Sequence, residues 1–300
     1  MHANLASKGI FKVVRAFGID RRLSDEQYLR MQYKALMGKR LDLDSPRTFN
    51  EKLQWLKLHD RNPLYTKLVD KYAVKEWVVE RIGEEHVVPT YAKWERAEDI
   101  DISGLPERFV LKTNHDCGGI AICRDRSTFD LDAARRKLSE HLSRNYYWGC
   151  REWPYKDVVP CVFAEEYLDP VDGMGDLADY KYFCFSGEAK AMFVATNRFG
   201  EGETRFDFFD MEYRHLPFTN GHPNADVEPT KPVSFDEMRE MAELLSAGIP
   251  QVRVDFYESM QGTYFGEMTF SHWGGQVPFD PPEWDDILGS WIDLSAAYGR

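Results

Sequence analysis

The sequence predicts an α+β protein, with a mostly helical N-terminal region leading into two mixed regions of strands and helices. Three observations predict it. Helix-entry signatures, Ser24 with Gln27 and Thr48 with Glu51, recur before apolar runs within the first ninety residues. After Pro89 the period shortens to two, as in the run at 108–113 (RFVLKT). Near the C-terminus two alternating stretches, 252–257 and 263–270, flank a Gln261–Gly262 turn signal and predict a hairpin. The expected division is 1–90, 91–170 and 171–300.

In chain order, a first helix spans 24–37 and stops at Gly38. A second follows Thr48 and carries Leu53, Trp55, Leu56 and Leu58 until Asn62–Pro63 breaks the pattern. A third is expected over about 64–82, ending at Gly83. The strand at 108–113 turns through NHDCGG (114–119) into a second strand at 120–123. Ser127 and Asp130 open a helix bearing Ala133, Ala134, Leu138 and Leu142. A strand is expected over 158–168 (VVPCVFAEEYL), a Gly- and Asp-rich loop over 171–178, and a hairpin over 180–196 turning at Ser186–Gly187. Residues 197–233 have little periodicity and read as an excursion that covers a site. Ser234 and Glu237 cap a helix ending at Gly248, and a short helix lies around 283–294.

With 300 residues the chain can bury a large core without staples. Its net charge of −12 argues against nucleic acid, whose phosphates need a basic face. The five cysteines are odd in number and form no Cys-x-x-Cys pair, which fits free thiols in a reducing cytoplasm. His115, Cys117 and Cys123 lack a fourth zinc ligand at a usual spacing. No secretory leader pattern and no apolar run near the ~18 residues of a membrane span is present. Residues 5–17 mix Leu5, Ile10, Phe11, Val13, Val14 and Phe17 with Lys8, Lys12 and Arg15. Packing against the chain's own core is the plainer reading, and a weak membrane-surface contact is the alternative.

The P-loop, nucleophile-elbow and H-E-x-x-H motifs are absent. Gly173-x-Gly175-x-x-Ala178 imitates a dinucleotide fingerprint but precedes a strand where a helix is required. In the late hairpin, strict alternation puts Thr263, Phe265, Glu267 and Thr269 on one face, where Glu267 can meet Asp255. Two carboxylates held there suit a hard divalent cation, most naturally Mg²⁺, or are simply solvated strand residues. Lys112 is a fixed charge at the end of a strand, and the Gly118–Gly119 tip can lay backbone N–H groups over phosphates. The strand ending Glu165, Glu166, Tyr167, Leu168 can offer backbone groups to adenine.

The ordered set of these parts resembles the ATP-grasp superfamily. The segments SPRTFNEKLQWLK (45–57), DKYAVKEWV (70–78) and LKTNHDCGG (111–119) are similar to those of its TupA-like branch, found among bacterial surface-polysaccharide genes. The resemblance covers about residues 25–290. It implies an ATP-grasp fold, two α+β subdomains gripping ATP, with Mg²⁺ as cofactor. It also implies that Lys71 and Lys112 contact phosphates, that Gly118 and Gly119 form the phosphate loop, and that the backbone around Glu165, Glu166 and Leu168 reads adenine. Asp255 and Glu267 would ligate Mg²⁺, with Glu267 bridging two ions. Thr269 would stand where many members have Asn, so the second-metal geometry departs from the pattern. Lys181 and Arg253 would meet the transferring phosphoryl group or an acyl phosphate. The implied reaction activates a carboxylate, such as that of a uronic acid, and joins it to an amine. The rivals are a sugar kinase, which could use Asp255-Phe256, a glycosyltransferase using one of the Asp-x-Asp triplets at 42–44, 99–101 or 130–132, and a nucleotide-binding scaffold. His272 could serve as a base or be packed. The backbone of 271–275 could meet a substrate anion, and Trp148, Trp153 and Trp273 could stack on sugar rings.

Overall fold

The computed structural model describes residues 5–171, 177–198 and 202–297. Helix α1 (Leu5–Ala16) lies against α2 (Asp25–Met37), and α3 (Phe49–His59) follows. Both expected capping boxes form. Ser24 Oγ accepts from Gln27 N and Gln27 Oε1 from Ser24 N, and Thr48 and Glu51 do the same at α3. Each such cap contributes about 1 kcal/mol by satisfying N–H groups that the helix leaves orphaned. Gly38 closes α2 at φ 73°, a left-handed conformation that glycine adopts without strain.

The single helix expected over 64–82 is two, α4 (Leu64–Val69) and α5 (Val74–Ile82). Asp70 causes the break. Its Oδ1 accepts from the N–H of Tyr72 and Ala73, and its Oδ2 accepts from Asn114 Nδ2 at 2.9 Å. Lys71 N–H donates to the Asn114 carbonyl at 2.9 Å. The turn is thus set by a distant partner, which no local periodicity records.

A four-stranded antiparallel sheet follows in the order β1-β4-β2-β3. Its strands are β1 (Thr90–Trp94), β2 (Phe109–Thr113), β3 (Ile120–Cys123) and β4 (Val162–Glu166). Strand β1 was not expected, and β4 is shorter than the 158–168 run. Between β3 and β4 come α6 (Leu131–Leu142), whose N-cap is Asp130, and the single turn α7 (Tyr147–Cys150). Leu138 of α6 packs on Phe109 and Leu111 of β2 and Val162 and Ala164 of β4.

The second sheet is β10-β9-β5-β6-β7, antiparallel throughout. The expected hairpin at 180–196 is β5 (Asp179–Phe185) and β6 (Glu188–Thr196). The 197–233 excursion is partly ordered: β7 (Arg205–Phe209) extends this sheet, and β8 (Thr219–Asn220) pairs with β11 (Phe279–Asp280). Helix α8 (Phe235–Ser246) precedes the late hairpin, β9 (Val252–Ser259) and β10 (Gly262–Thr269), and α9 (Glu283–Trp291) ends the core. Ser234 does not cap α8 by its side chain. Its N–H and Oγ both donate to Glu258 Oε1.

Both faces of this sheet are covered. Tyr180, Tyr182, Met192, Val254 and Phe256 pack under α5 and α8. Phe183, Phe185, Phe193 and Phe208 pack under α2, α3 and α9. Residues two apart on a strand share a face, so Asp179 and Lys181 lie on the side of Phe183. Asp179 and Lys181 are the polar end of an otherwise aromatic layer. Gly289 lets α9 touch the start of α3 directly, since a Cβ there would stand 2.3 Å from Arg47 O.

Candidate active site

The late hairpin carries a correction. Phe265 pairs with Phe256 and Glu267 with Asp255, so Gly266 is an extra residue. This bulge puts Phe265 on the core side with Met268, opposite to Glu267. Asp255 with Glu267, and Arg253 with Thr269, then face each other across the two strands. In the neighbouring pair, Lys181 of β5 stands opposite Asp255.

Around Asp255 the charges interlock. Arg253 donates from Nε to Oδ1 and from Nη2 to Oδ2, each at 2.7 Å. Lys181 Nζ bonds Asp255 Oδ2 and lies 2.6 Å from Asp179 Oδ2, which also accepts from Arg198. Arg253 Nη2 further donates to Thr269 Oγ1 at 3.0 Å and lies 3.5 Å from Glu267 Oε1. Burial pushes the Asp255 carboxyl pKa up, with Arg253 and Lys181 opposing. Burial also acts to raise Glu267, but Lys71, Lys181 and Arg253 overcome it and hold that carboxyl well below its ordinary range. The donor set is oxygen alone, and Asp179 Oδ1 is buried without a hydrogen-bond partner among the described residues. Oxygen donors suit a hard cation such as Mg²⁺, but among the described residues no group of three or more His, Cys, Asp or Glu side chains is placed to hold one ion.

His272 is not poised as a base. Nδ1 faces Arg253 Nη1 at 2.8 Å and Nε2 faces Asn220 Oδ1 at 2.9 Å. A guanidinium only donates, so Nδ1 accepts and Nε2 carries the proton. Burial, then Arg253 and Lys181, lower its pKa well below the usual value. Its role is to steer Arg253. The following loop is anchored from behind: buried Lys57 donates to Gly274 O (2.6 Å), Cys150 O and Gln54 Oε1. Gly274 N–H turns inward to Ser271 O, so that group is not offered to a substrate anion.

The first sheet faces this cluster. Lys112 at the end of β2 and Lys75 of α5 each lie 2.6 Å from one oxygen of Glu165 on β4. Glu165 is buried, and burial alone would raise its pKa, but the two lysines hold it low. Glu165 thus takes part through its side chain, which backbone reasoning about the hinge did not include. Glu166 N–H is committed to Pro89 O, while Tyr167 and Leu168 leave the sheet. The 114–119 turn is braced by Thr113 and His141, both bonded to Asp116. Gly118 adopts φ 88°, and a Cβ on Gly119 would collide with Thr113 Oγ1 at 1.9 Å. Lys71 leaves the Asp70 turn to reach Asp116 O at 2.8 Å and Glu267 Oε2 at 3.0 Å, linking the two sheets.

A cleft of about 250 Å³ lies between them. Lys71, Lys112, Gly118, Gly119, Glu165, Glu166, Leu168 and Glu267 all line it. Lys181, Arg253, Asp255 and Thr269 form the cluster beside Glu267. Sequence reasoning missed Asp179, Arg198 and Tyr257 in the lining, and Lys75 as a partner of Glu165. Asp179 had a signal, since it stands two residues before Lys181 on a strand. Arg198 had none.

The Asp-x-Asp candidates are spent elsewhere. Asp42 accepts from the N–H of Asp44 and Ser45, Asp101 from that of Ser103, and Asp130 from that of Ala133. Asp255 sits within a strand with both oxygens engaged, unlike a base presented to a sugar hydroxyl. Trp273 is 41% exposed, while Trp148 and Trp153 are half-buried. Gly173 and Gly175 of the fingerprint-like triplet lie outside the described residues.

A family model described as TupA-like ATPgrasp matches residues 51–293. Among solved structures, the chain is similar to D-alanine–D-alanine ligase from Bacillus anthracis complexed with ATP. That match has 14% identity and a TM-score of 0.38, covering 68% of this chain and 54% of that one. It is also similar to D-alanine–D-alanine ligase from Helicobacter pylori (12%, TM-score 0.42, 83% and 68%). A third is the ATP-grasp ligase PsnB complexed with a phosphomimetic variant of minimal precursor, Mg and ADP (10%, TM-score 0.41, 74% and 57%). The chain spans about half the length of the first of these, 54%. No curated protein sequence matches it.

Proposed function

The chain belongs to the TupA-like ATP-grasp family and has the ATP-grasp fold, and from that premise we propose an ATP- and Mg²⁺-dependent ligase. It activates a carboxylate as an acyl phosphate and joins it to an amine. One observation carries the reading: Lys112 and the glycine tip face Lys71, Glu267 and their acid–cation cluster across a single cleft.

Lys71, Lys112 and the backbone of Gly118 and Gly119 hold the phosphates in this scheme, and the backbone of the Glu166–Leu168 segment holds adenine. Asp255, Glu267 and Thr269 hold Mg²⁺, which when bound offsets phosphate charge as a Lewis acid. Lys181 and Arg253 meet the phosphoryl group as it reaches the carboxylate. Their charge stabilises the developing oxyanions in a site where Asp255 and His272 fix them in advance. Such preorganisation matters in a chain of net charge −12, which would otherwise repel both anionic substrates.

The family's setting supports a uronic acid as the carboxylate donor, a small amine such as an amino acid as acceptor, and a role in bacterial surface polysaccharide synthesis. Trp273 is the tryptophan available to stack on a sugar. A need for ATP, with five unpaired thiols, supports a cytoplasmic setting. Helix α1 buries Phe11 but exposes Ile10 and Val13, with Phe17 exposed just after it, beside Lys8, Lys12 and Arg15, which supports weak contact with an anionic lipid surface.

ADP release from the purified chain, screened over uronic acids and amino acids with and without Mg²⁺, tests the reading. Added hydroxylamine should be converted to a hydroxamate by an acyl phosphate. Phosphate transferred to a sugar hydroxyl, with no hydroxamate, would establish the kinase instead.

A further inference from the structure

A smaller cavity, of about 30 Å³, shares no lining residue with the nucleotide cleft. The strand register leads to it from the acid–cation cluster. Glu267 faces Asp255 and Thr269 faces Arg253 across β9 and β10. Continuing that row by two residues reaches Gln251 and Ser271, and both line the cavity. Glu152, just after α7, lines it from the other side. Burial pushes the Glu152 pKa up to about 7, with Lys57 and then Arg253 opposing. Its carboxyl group therefore lies within the field of the cluster.

Two side chains in this lining lack partners. Glu152 is 3% exposed and has no side-chain hydrogen bond or ion pair among the described residues. Gln251 is 2% exposed, and neither its amide nitrogen nor its amide oxygen has a partner among them. Native interiors rarely leave such groups unmade, because each forfeits its hydration. Lys57 does not satisfy them, since its three donors go to Gln54 Oε1, Cys150 O and Gly274 O. Asp60 also lines the space, so two acids stand against one ammonium. Tyr65, Trp153 and Phe270 pack together as an aromatic wall. A carboxylate, an amide oxygen and aromatic rings around a small space suit a primary ammonium on a short apolar stem. A single water needs roughly 10–15 Å³, so the space takes a head of about two heavy atoms.

We propose that this cavity docks the primary ammonium of the amine acceptor, with Glu152 as its counter-ion and the Gln251 amide oxygen as its hydrogen-bond acceptor. The proposal rests on the ATP-grasp ligase reading above. The spacing suits the reaction. One pleat along a strand is roughly 7 Å, and an attacking nitrogen stands roughly 3–3.5 Å from the carbon it attacks. An acyl phosphate held by Arg253 thus fits between that guanidinium and a nitrogen beside Gln251. On attack the nitrogen forms the C–N bond while the C–O bond to phosphate breaks. Of the two protons it sheds, one leaves on the phosphate and one passes by way of Glu152 to water.

Methylammonium is the probe, read by saturation-transfer NMR on the full chain, with tetramethylammonium as a cation too large for the cavity. Wild type should bind the first and not the second. Glu152→Gln keeps the side-chain shape and should weaken methylammonium about tenfold or more, the loss of one charge-assisted pair. Gln251→Leu should weaken it too. Because that change removes two buried polar atoms without partners, it should not lower the unfolding temperature, whereas loss of a purely structural glutamine would. A fluorescent ATP analogue should bind both variants as it binds wild type. Wild type that binds methylammonium no better than tetramethylammonium would overturn the proposal, as would wild-type methylammonium affinity in both variants. Wild type that holds methylammonium but not the ATP analogue would overturn the acceptor role together with the ligase reading, while the ammonium site itself would stand.

Discussion

Replacing Lys112 with alanine tests the nucleotide cleft most directly. The ammonium lies 2.6 Å from Glu165 and is itself only partly buried. Two effects follow from its loss, and their sizes differ. On the fold, breaking a buried pair typically costs about 3–5 kcal/mol because a charge is left uncompensated. Glu165 keeps Lys75 at 2.6 Å, so the cost here should be well under that, roughly 1–2 kcal/mol. On ATP, one charge-assisted hydrogen bond is worth about 1.5–3 kcal/mol. At about 1.4 kcal/mol per decade, this weakens ATP binding roughly ten- to hundredfold. ADP release should fall to background, since Lys112 also faces the phosphates in the reaction. Calorimetric ATP titration gives the affinity, and thermal unfolding of the same preparation gives the stability. A folded Lys112→Ala protein with wild-type ATP affinity and ADP release would refute the placement of ATP between the two sheets.

Asp255→Asn should also abolish ADP release while the protein stays folded, because Arg253 and Lys181 lose the carboxylate that aims them; a variant with wild-type turnover would contradict this role. His272 should make stability fall as pH drops below about 6.5, because the unfolded chain then binds a proton that the folded, depressed imidazole refuses. Thermal unfolding of wild type and His272→Gln from pH 5 to 8 checks the sign, and equal pH slopes would count against it. Ile10→Asp with Phe17→Asp should release the chain from vesicles containing anionic phosphatidylglycerol without changing ATP affinity, and retention measured by co-sedimentation would exclude α1 as the contact.

What the sequence made legible was local or strictly ordered. Ser24 and Thr48 cap their helices because the signature and the bond span only three residues. Lys112, Gly118, Glu165 and Glu267 share one cleft because their order along the chain already implied two facing sheets. The failures share a different cause. Asp70 breaks a helix for the sake of Asn114, forty-four positions away. Ser234 gives up its cap for Glu258. Glu165 looked like a strand end, but two lysines from other elements make its side chain part of the site. Partners brought in by tertiary structure leave no trace in propensity or period.

The bulge at Gly266 adds a residue to the hairpin without changing which side chains face each other beyond it. Deleting that one residue would still leave Phe265 opposite Phe256, Glu267 opposite Asp255 and Thr269 opposite Arg253. The pairing therefore tolerates a strand one residue shorter, and what the extra residue changes is the local twist that aims the Glu267 carboxylate. A Cβ at 266 would come within 3.1 Å of Asp255 O, so a side chain there would crowd the neighbouring strand. A chain lacking Gly266 should therefore keep these three cross-strand pairs while aiming the Glu267 carboxylate differently into the cleft.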